Sequence, residues 1–451
     1  MREQILNANI PKTILKLAWP NMIGFLMQVS YNLADTIFVG RLGAEAIAAV
    51  SLAFPIDLFM YALGGGLVAG TTSLLSRYIG AKKYKNADNA AEHSMLIALV
   101  LSVFFTIVGL LFMKPLFVFL GATSSILPMS IEYSRWIFLG SGSIFFFLAA
   151  SAIIRSEGDM KTYMKFMGIS VVLNLILDPI FIFGISIAGI SIIPSMGVAG
   201  AAIATVIARV VGCVLVLNHL LKDRSLVKLR LKDFKYNYQF IKNIFSVGIP
   251  SSLSQLVMSV GVLLLTKLTA NFGEAAIAAY GIGFKLDTVA FLPTLGIGIA
   301  ILTMVGQNFG AKNYARAKSI AWVGCLMTGV FMLAISLIFL SAPKFFVSVF
   351  NNNPELIRYG ASYIRYIAPT YVFLGFIMIL SFAFQGFGRG IPGIAIALFR
   401  LGIIAVPAAY LLALNFGFGL TGVWIAIAAS NVLTAIFSAA WFYWFKVEKI
   451  R

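Results

Sequence analysis

Asp35 and Asp178 each stand inside an apolar stretch long enough to cross a bilayer. Burying such a charge costs several kcal/mol, so intramembrane carboxylates are rare and mark ion, proton or substrate pathways. Asn174 precedes Asp178 by four residues and Pro179 follows it at once. The i, i+4 spacing puts amide and carboxylate on one helix face. The proline removes the hydrogen bond that the carbonyl of Leu175 would otherwise accept. A carboxylate, an amide oxygen and a freed carbonyl are ligands for a small hard cation. Asp35 closes a polar stripe on its own stretch, with Asn21, Gln28, Tyr31 and Asn32 before it. At 1.5 Å of rise per residue, Asp35, Tyr133, Asp178 and Thr205 come out at about 8–12 Å from the outer ends of four different helices. Four polar side chains at one depth predict a cation site. Such a carboxylate pair can share a proton or hold a sodium ion, and Asp35, Asn174 and Asp178 are the metal ligands expected in the second case.

Other chemistries lack their residues. The two histidines, His93 and His219, lie at predicted helix ends, so no zinc set and no Ser–His–Asp triad is expected. Cys213 and Cys325 fall inside apolar helices and read as core thiols. There is no G-x-x-x-x-G-K-[ST] phosphate loop, and Gly64-Gly65-Gly66 reads as a close-packing feature. The chain is expected not to be an enzyme and to need no cofactor beyond its coupling ion. Any uphill work would draw on an ion gradient.

The elements that must position these residues are membrane helices. The chain is 60% hydrophobic and 11% charged, with a mean hydropathy of +0.96. A soluble protein carries about twice that charged fraction. The apolar runs predict an all-α polytopic membrane protein with twelve spans, near 14–39, 46–76, 94–113, 127–153, 164–186, 197–220, 241–268, 275–306, 319–341, 356–387, 393–413 and 420–445. The net charge of +18 would suggest nucleic acid in a soluble chain. Here 24 of the 34 Lys and Arg fall on the side of the termini and 8 on the other. That bias predicts cytoplasmic termini and excludes a nucleic-acid partner. The basic segment 222–242, amphipathic at Leu226, Leu229, Leu231 and Phe234, is expected on the cytoplasmic surface beside anionic lipid.

The twelve spans are two copies of six. At an offset of 230, Pro20 falls on Pro250, Asp57 on Asp287, Gly80-Ala81-Lys82-Lys83-Tyr84 on Gly310-Ala311-Lys312-Asn313-Tyr314, and Tyr133 on Tyr363. At an offset of 222, Gly197-Val198-Ala199-Gly200 falls on Gly419-Leu420-Thr421-Gly422. Six spans return the chain to its starting side, so the copies are parallel repeats. The lobes are expected at 1–220 and 241–451, joined by a linker at 221–240. The copies differ where the chemistry lies. Asp35, Asn174 and Asp178 map onto Leu265, Ile404 and Ala408, so only the first half keeps the set. Asp57 and Asp287 survive in both halves and read as structural, with Lys285 as the counter-charge of Asp287.

The twelve spans, the segment Asp35-Thr36-Ile37-Phe38-Val39-Gly40-Arg41-Leu42-Gly43, the doubled Gly-Ala-Lys-x-Tyr and Leu173-Asn174-Leu175-Ile176-Leu177-Asp178-Pro179 together resemble the multidrug and toxic compound extrusion (MATE) family over essentially the whole chain. The resemblance implies secondary active efflux of amphipathic organic compounds, driven by H⁺ or Na⁺ through alternating access of two lobes. It implies a monomer in the inner or plasma membrane of a prokaryote, in contact with lipid. In DinF-like and archaeal-like members the cation site lies in the first lobe, at the positions of Asp35, Tyr133, Asn174, Asp178 and Thr205. Gln28, Tyr31, Asn32 and Gln255 are the candidates for the substrate cleft. The NorM-like pattern instead places acids on the seventh and tenth spans, where this chain has Gln255 and, only at the mouth, Glu355. The alternative is a flippase for a lipid-linked precursor, as in related families. The cationic cavity common there would have to be built here from Arg209 and Arg400.

Overall fold

The computed structural model describes residues 2–187, 190–222, 225–230 and 234–449. Its helices are α1 (Arg2–Asn7), α2 (Ile10–Gly40), α3 (Ala44–Gly80), α4 (Tyr84–Phe119), α5 (Ile126–Leu139), α6 (Ser141–Ser156), α7 (Met160–Phe183), α8 (Gly197–Leu221), α9 (Tyr238–Thr269), α10 (Glu274–Gly310), α11 (Tyr314–Ser341), α12 (Pro343–Ser348), α13 (Pro354–Ile367), α14 (Tyr371–Gly386), α15 (Ile391–Ala397), α16 (Val406–Tyr410) and α17 (Gly419–Trp444). Among the described residues eleven helical spans are long and apolar enough to cross a membrane, and α5 with α6, bent by 44°, makes a twelfth. The expected spans are thus present. The expected loop between the fifth and sixth holds instead a two-stranded antiparallel hairpin, β1 (Ile185–Ile187) and β2 (Ile190–Ile193).

The repeat is visible in the breaks as well as the helices. The fourth span breaks at Gly140, and the tenth at the equivalent Ala368–Thr370, a 3₁₀ turn holding Pro369. The doubled Gly-Ala-Lys-x-Tyr closes α3 and α10 identically. Lys82 and Lys312 are the two non-glycine residues with positive φ among those described, at 58° and 63°. Their turns are held by Lys83 N–H to the Tyr78 carbonyl at 2.9 Å and Asn313 N–H to the Asn308 carbonyl at 2.8 Å. The span Ile391–Asn415 departs from its counterpart α7, which is a continuous α-helix, because two π-helical stretches, Leu398–Ala405 and Leu411–Asn415, interrupt it.

The chain divides into two compact units, 23–248 and 1–22 with 249–451. This partition differs from lobes at 1–220 and 241–451. The reason is packing at glycines near Pro20 and Pro250. In the first unit a Cβ on Gly248 would lie 2.9 Å from the Gly66 carbonyl, and one on Gly70 would lie 2.2 Å from that of Ile244. The start of α9 therefore packs on α3, as the glycine-rich stretch suggested. In the other unit a Cβ on Gly296 would lie 2.5 Å from Met22 Cγ and 3.1 Å from the Ala18 carbonyl, so the start of α2 packs on α10. Gly296 is the repeat of Gly66. Asn308 Nδ2 donates to the Ile5 carbonyl at 3.3 Å, and Arg316 donates to that of Ala8.

The linker is strapped to the first unit by acceptors on α4 and just beyond α6. Glu157 accepts from the Ser225 hydroxyl and from the N–H groups of Leu226 at 3.1 Å and Val227 at 2.8 Å. Asp88 accepts from Lys228 N–H, Glu92 from Arg230 N–H, and His93 Nε2 from Asn237 N–H. Of the linker's expected apolar face, Leu229 packs against the unit's core, Phe234 lies beside the His93 ring but is exposed, Leu226 is exposed and Leu231 lies outside the described residues; Val227, not among them, is buried in the core. Burial pushes the Glu157 carboxyl up from 4.5 to about 7, opposed by its three hydrogen bonds and reinforced by the Asp159 charge. A carboxyl raised in the folded state holds its proton more tightly there than in the open chain. Its contribution to strap stability is therefore full at low pH and declines as pH rises from about 4.5 to about 7. Amide protection of residues 225–230, corrected for intrinsic exchange, is expected to fall about tenfold from pH 5 to pH 8. Glu157→Gln is expected to flatten that slope, and an unchanged slope would remove Glu157 from the account.

Candidate cation site

Four helices of the 23–248 unit each offer a polar pair at i, i+4: Tyr31 and Asp35 on α2, Asp57 and Tyr61 on α3, Asn174 and Asp178 on α7, Thr205 and Arg209 on α8. Tyr133 on α5 joins them. Helical periodicity places the members of each pair one above the other. What brings α7 against α8 is Gly200, whose missing side chain lets α8 reach the backbone of Phe181 and Ile182.

The contacts run between helices. Tyr31 donates its hydroxyl to Thr205 Oγ1 at 2.8 Å. Asn174 Nδ2 donates to Asp178 Oδ1 at 3.0 Å and reaches Thr205 Oγ1 at 3.5 Å. Arg209 Nη2 donates to the Tyr61 hydroxyl at 3.0 Å. Asn174 and Asp178 are fully buried, Tyr133 and Thr205 nearly so, and Asp35 is half-buried. Asp178 feels the charge of Asp35, and Tyr133 feels those of Asp35 and Asp57.

Three buried oxygens have no hydrogen-bond partner: Asp35 Oδ1, Asn174 Oδ1 and Asp178 Oδ2. A buried polar atom left unpaired costs about 1–3 kcal/mol, so three together call for a ligand. All three are oxygens that only accept, two of them carboxylate. They fit a proton shared by two carboxylates or a sodium ion, and not a softer metal. Among the described residues no three His, Cys, Asp or Glu come together as metal ligands.

The five residues predicted for the cation site lie in one unit, and hydrogen bonds or charge connect them. Tyr31, predicted for the cleft, is tied into this cluster through Thr205. Gln28 is half-buried on α2, Asn32 is exposed on the same helix, and Gln255 is exposed on α9 in the other unit. Sequence reasoning left Arg209 and Tyr61 out. The i, i+4 pairing of Asp57 with Tyr61 and of Thr205 with Arg209 was the available signal.

The second unit shows what a closed version looks like. Asp287 accepts from the Tyr363 hydroxyl at 2.6 Å and the Tyr371 hydroxyl at 2.5 Å, so both its oxygens are satisfied. Lys285, expected as its counter-charge, is exposed and makes no ion pair with it among the described residues; Arg400 is the cation whose charge Asp287 feels. Leu265, the counterpart of Asp35, is buried. Cys213 and Cys325 are buried free thiols.

The chain is 28% identical to the FAD transporter of Shewanella oneidensis, over 96% of this chain and 95% of that one. It is 28% identical to a probable multidrug resistance protein NorM of Thermotoga maritima, over 98% and 94%. The fold superposes on a crystal structure of a MATE protein in a bent conformation with a TM-score of 0.91 and 33% identity, covering 98% of this chain and 96% of that one. The MatE family model matches twice, at residues 20–180 and 250–411, once in each half. With both copies matched, this multi-pass membrane protein belongs to the MatE family, the multidrug and toxic compound extrusion transporters.

Proposed function

We propose that the protein exports amphipathic organic compounds in exchange for H⁺ or Na⁺, with the cation held by Asp35, Asn174 and Asp178 and framed by Tyr133 and Thr205. The observation that carries this reading is the set of three buried, unpartnered oxygens on two carboxylates and an amide. Family membership supplies the class of process. The named relatives include a FAD transporter and a multidrug resistance protein, so the substrate class is kept as broad as amphipathic organic compounds. Gln28 and Asn32, on the helix that carries Asp35, are the side chains proposed to meet the substrate. The lobes expose it alternately to the two sides. The protein works in a prokaryotic plasma membrane with cytoplasmic termini and as a monomer, and it uses no cofactor besides the coupling ion.

Occupation of the site removes the repulsion between Asp35 and Asp178, which lets α2 settle against α7 and α8. Tyr31, bonded to Thr205, carries that change along α2. A membrane potential of ~100 mV acting on one inward charge supplies about 2.3 kcal/mol, roughly fifty-fold in accumulation. The test is transport in proteoliposomes, with a cationic dye and FAD as separate substrates, under ΔpH alone, ΔNa⁺ alone and neither. Accumulation under one gradient and none without it is the expected result. Equal fluxes in all three conditions would reject coupling.

A further inference from the structure

We propose that the cavity between the α3–α4 turn and the linker binds a nucleotide, with its base against the tyrosines there and its phosphate at Lys235. The cavity lies wholly within the 23–248 unit. In the orientation proposed above it faces the cytoplasm, and it does not depend on the coupling role of Asp35 and Asp178.

The cavity has a volume of about 650 Å³, within the range of pockets that hold small molecules. Four aromatic rings line it. Tyr78 and Phe240 meet edge to face with centroids 5.9 Å apart, and Phe240 is buried. Tyr236 leans on the buried His93 ring at 5.8 Å, yet it and Tyr238 are each 64% exposed. The backbone between these two tyrosines is fixed, because Asn237 N–H donates to His93 Nε2 at 2.9 Å. Exposed tyrosines held in a concave wall offer faces on which a base can stack.

Amides supply the hydrogen-bonding edges. Asn237 and Gln239 spend theirs locally: Asn237 Oδ1 accepts from Gln239 N–H at 2.9 Å, and Gln239 Nε2 donates to Asn243 Oδ1 at 3.3 Å. Asn86 and Asn89, in the first turns of α4, line the cavity with side-chain amides that make no hydrogen bond among the described residues. A primary amide presents a donor and an acceptor side by side, the pattern that pairs with the edge of a base. The charge is one-sided. Lys235 is the one charged residue of the lining among the described residues, so the site favours an anionic group over a cationic one. The first turns of α4 and α9, both long helices, contribute to the same wall, and their dipoles favour a phosphate. A lipid phosphate or a bare anion would use the lysine and leave the rings idle. A nucleotide uses both. Seated here it would touch the α3–α4 turn and the linker together, so it would bind the docked linker and hold it there.

The experiment is calorimetric titration of the full chain in phosphatidylcholine nanodiscs with ADP, adenosine and inorganic phosphate as separate probes. The parent is expected to bind ADP saturably and adenosine about tenfold more weakly. Lys235→Gln is expected to weaken ADP about tenfold and leave adenosine unmoved, whereas Tyr238→Leu is expected to weaken both about tenfold. Both side chains are exposed, so neither change threatens folding. Amide exchange over residues 235–240 is expected to slow about tenfold at an ADP concentration roughly ten times its Kd. A parent that binds neither ADP nor adenosine overturns the site. Binding that Lys235→Gln and Tyr238→Leu both leave unmoved overturns its location. Displacement of ADP by inorganic phosphate, or by phosphatidylglycerol added to the nanodisc, as effectively as by ADP itself would assign Lys235 to a bare anion or a lipid headgroup and overturn the nucleotide.

Discussion

Asp178→Asn and Asp35→Asn are each expected to abolish gradient-driven accumulation, a loss of roughly fifty-fold at ~100 mV, while substrate binding stays within a few-fold of the parent. The replacement keeps size and most of the bonding. In Asp178→Asn the new amide would still accept from Asn174 through its one oxygen, as Asp178 Oδ1 does now at 3.0 Å. On the proposed mechanism, what disappears is the charge that the cation neutralises in each cycle, so the cation would no longer distinguish the two states of the lobe. Asp287→Asn is the comparison that makes the result specific. Its carboxylate is closed by Tyr363 and Tyr371, so that change is expected to lower thermal stability and leave coupling in place. Transport by proteoliposomes and equilibrium binding of the same substrate separate the outcomes. Normal accumulation by either of the first two variants would remove that carboxylate from the coupling site.

Gly200→Val is expected to destabilise the protein by several kcal/mol and to dismantle the candidate cation site with it. A Cβ there would lie 2.4 Å from the Phe181 carbonyl oxygen and 2.5 Å from its carbon. Both are backbone atoms, so no rotamer change relieves the clash and α7 must move away from α8. The distances that would open are those between Asn174 and Thr205. Gly422, the repeat of Gly200, meets the backbone of Leu412 and Ala413 at 2.8 Å, so Gly422→Val is expected to unfold the other unit in the same way. Gly281 has nothing within 4 Å of its added Cβ, and Gly281→Ala should be neutral or slightly stabilising, since alanine is the better helix former. Thermal melting of detergent-solubilised protein, followed by size-exclusion chromatography, reads all three. A Gly200→Val protein as stable as the parent would mean that the α7–α8 approach is not set at this glycine.

The twelve spans, their pairing into two copies and the one-sidedness of the carboxylates were legible in the sequence, because each depends on local information. Hydropathy over about twenty residues specifies a span, and the 3.6-residue period specifies which polar residues share a face. Asn174 with Asp178, and Asp35 with its stripe, are facts of one helix each. Depth along the membrane follows from counting residues, which is why Tyr133 and Thr205 could be placed at the level of the aspartates. Counting does not give the rotation of one helix against another, nor the distance between them. Only the tertiary structure decided that Tyr31 bonds Thr205, that Arg209 bonds Tyr61, and that Asp287 is satisfied by Tyr363 and Tyr371 rather than by Lys285 two residues away. The lysine was the natural partner by sequence distance, but residues at i, i+2 point to different faces of a helix. The unit boundaries at 22 and 248 were hidden for a related reason. An unbroken apolar helix such as α2 carries no local mark of where its packing partner changes. That is decided by glycines on α3 and α10, far away in the chain, which admit the backbone of the helix that crosses them.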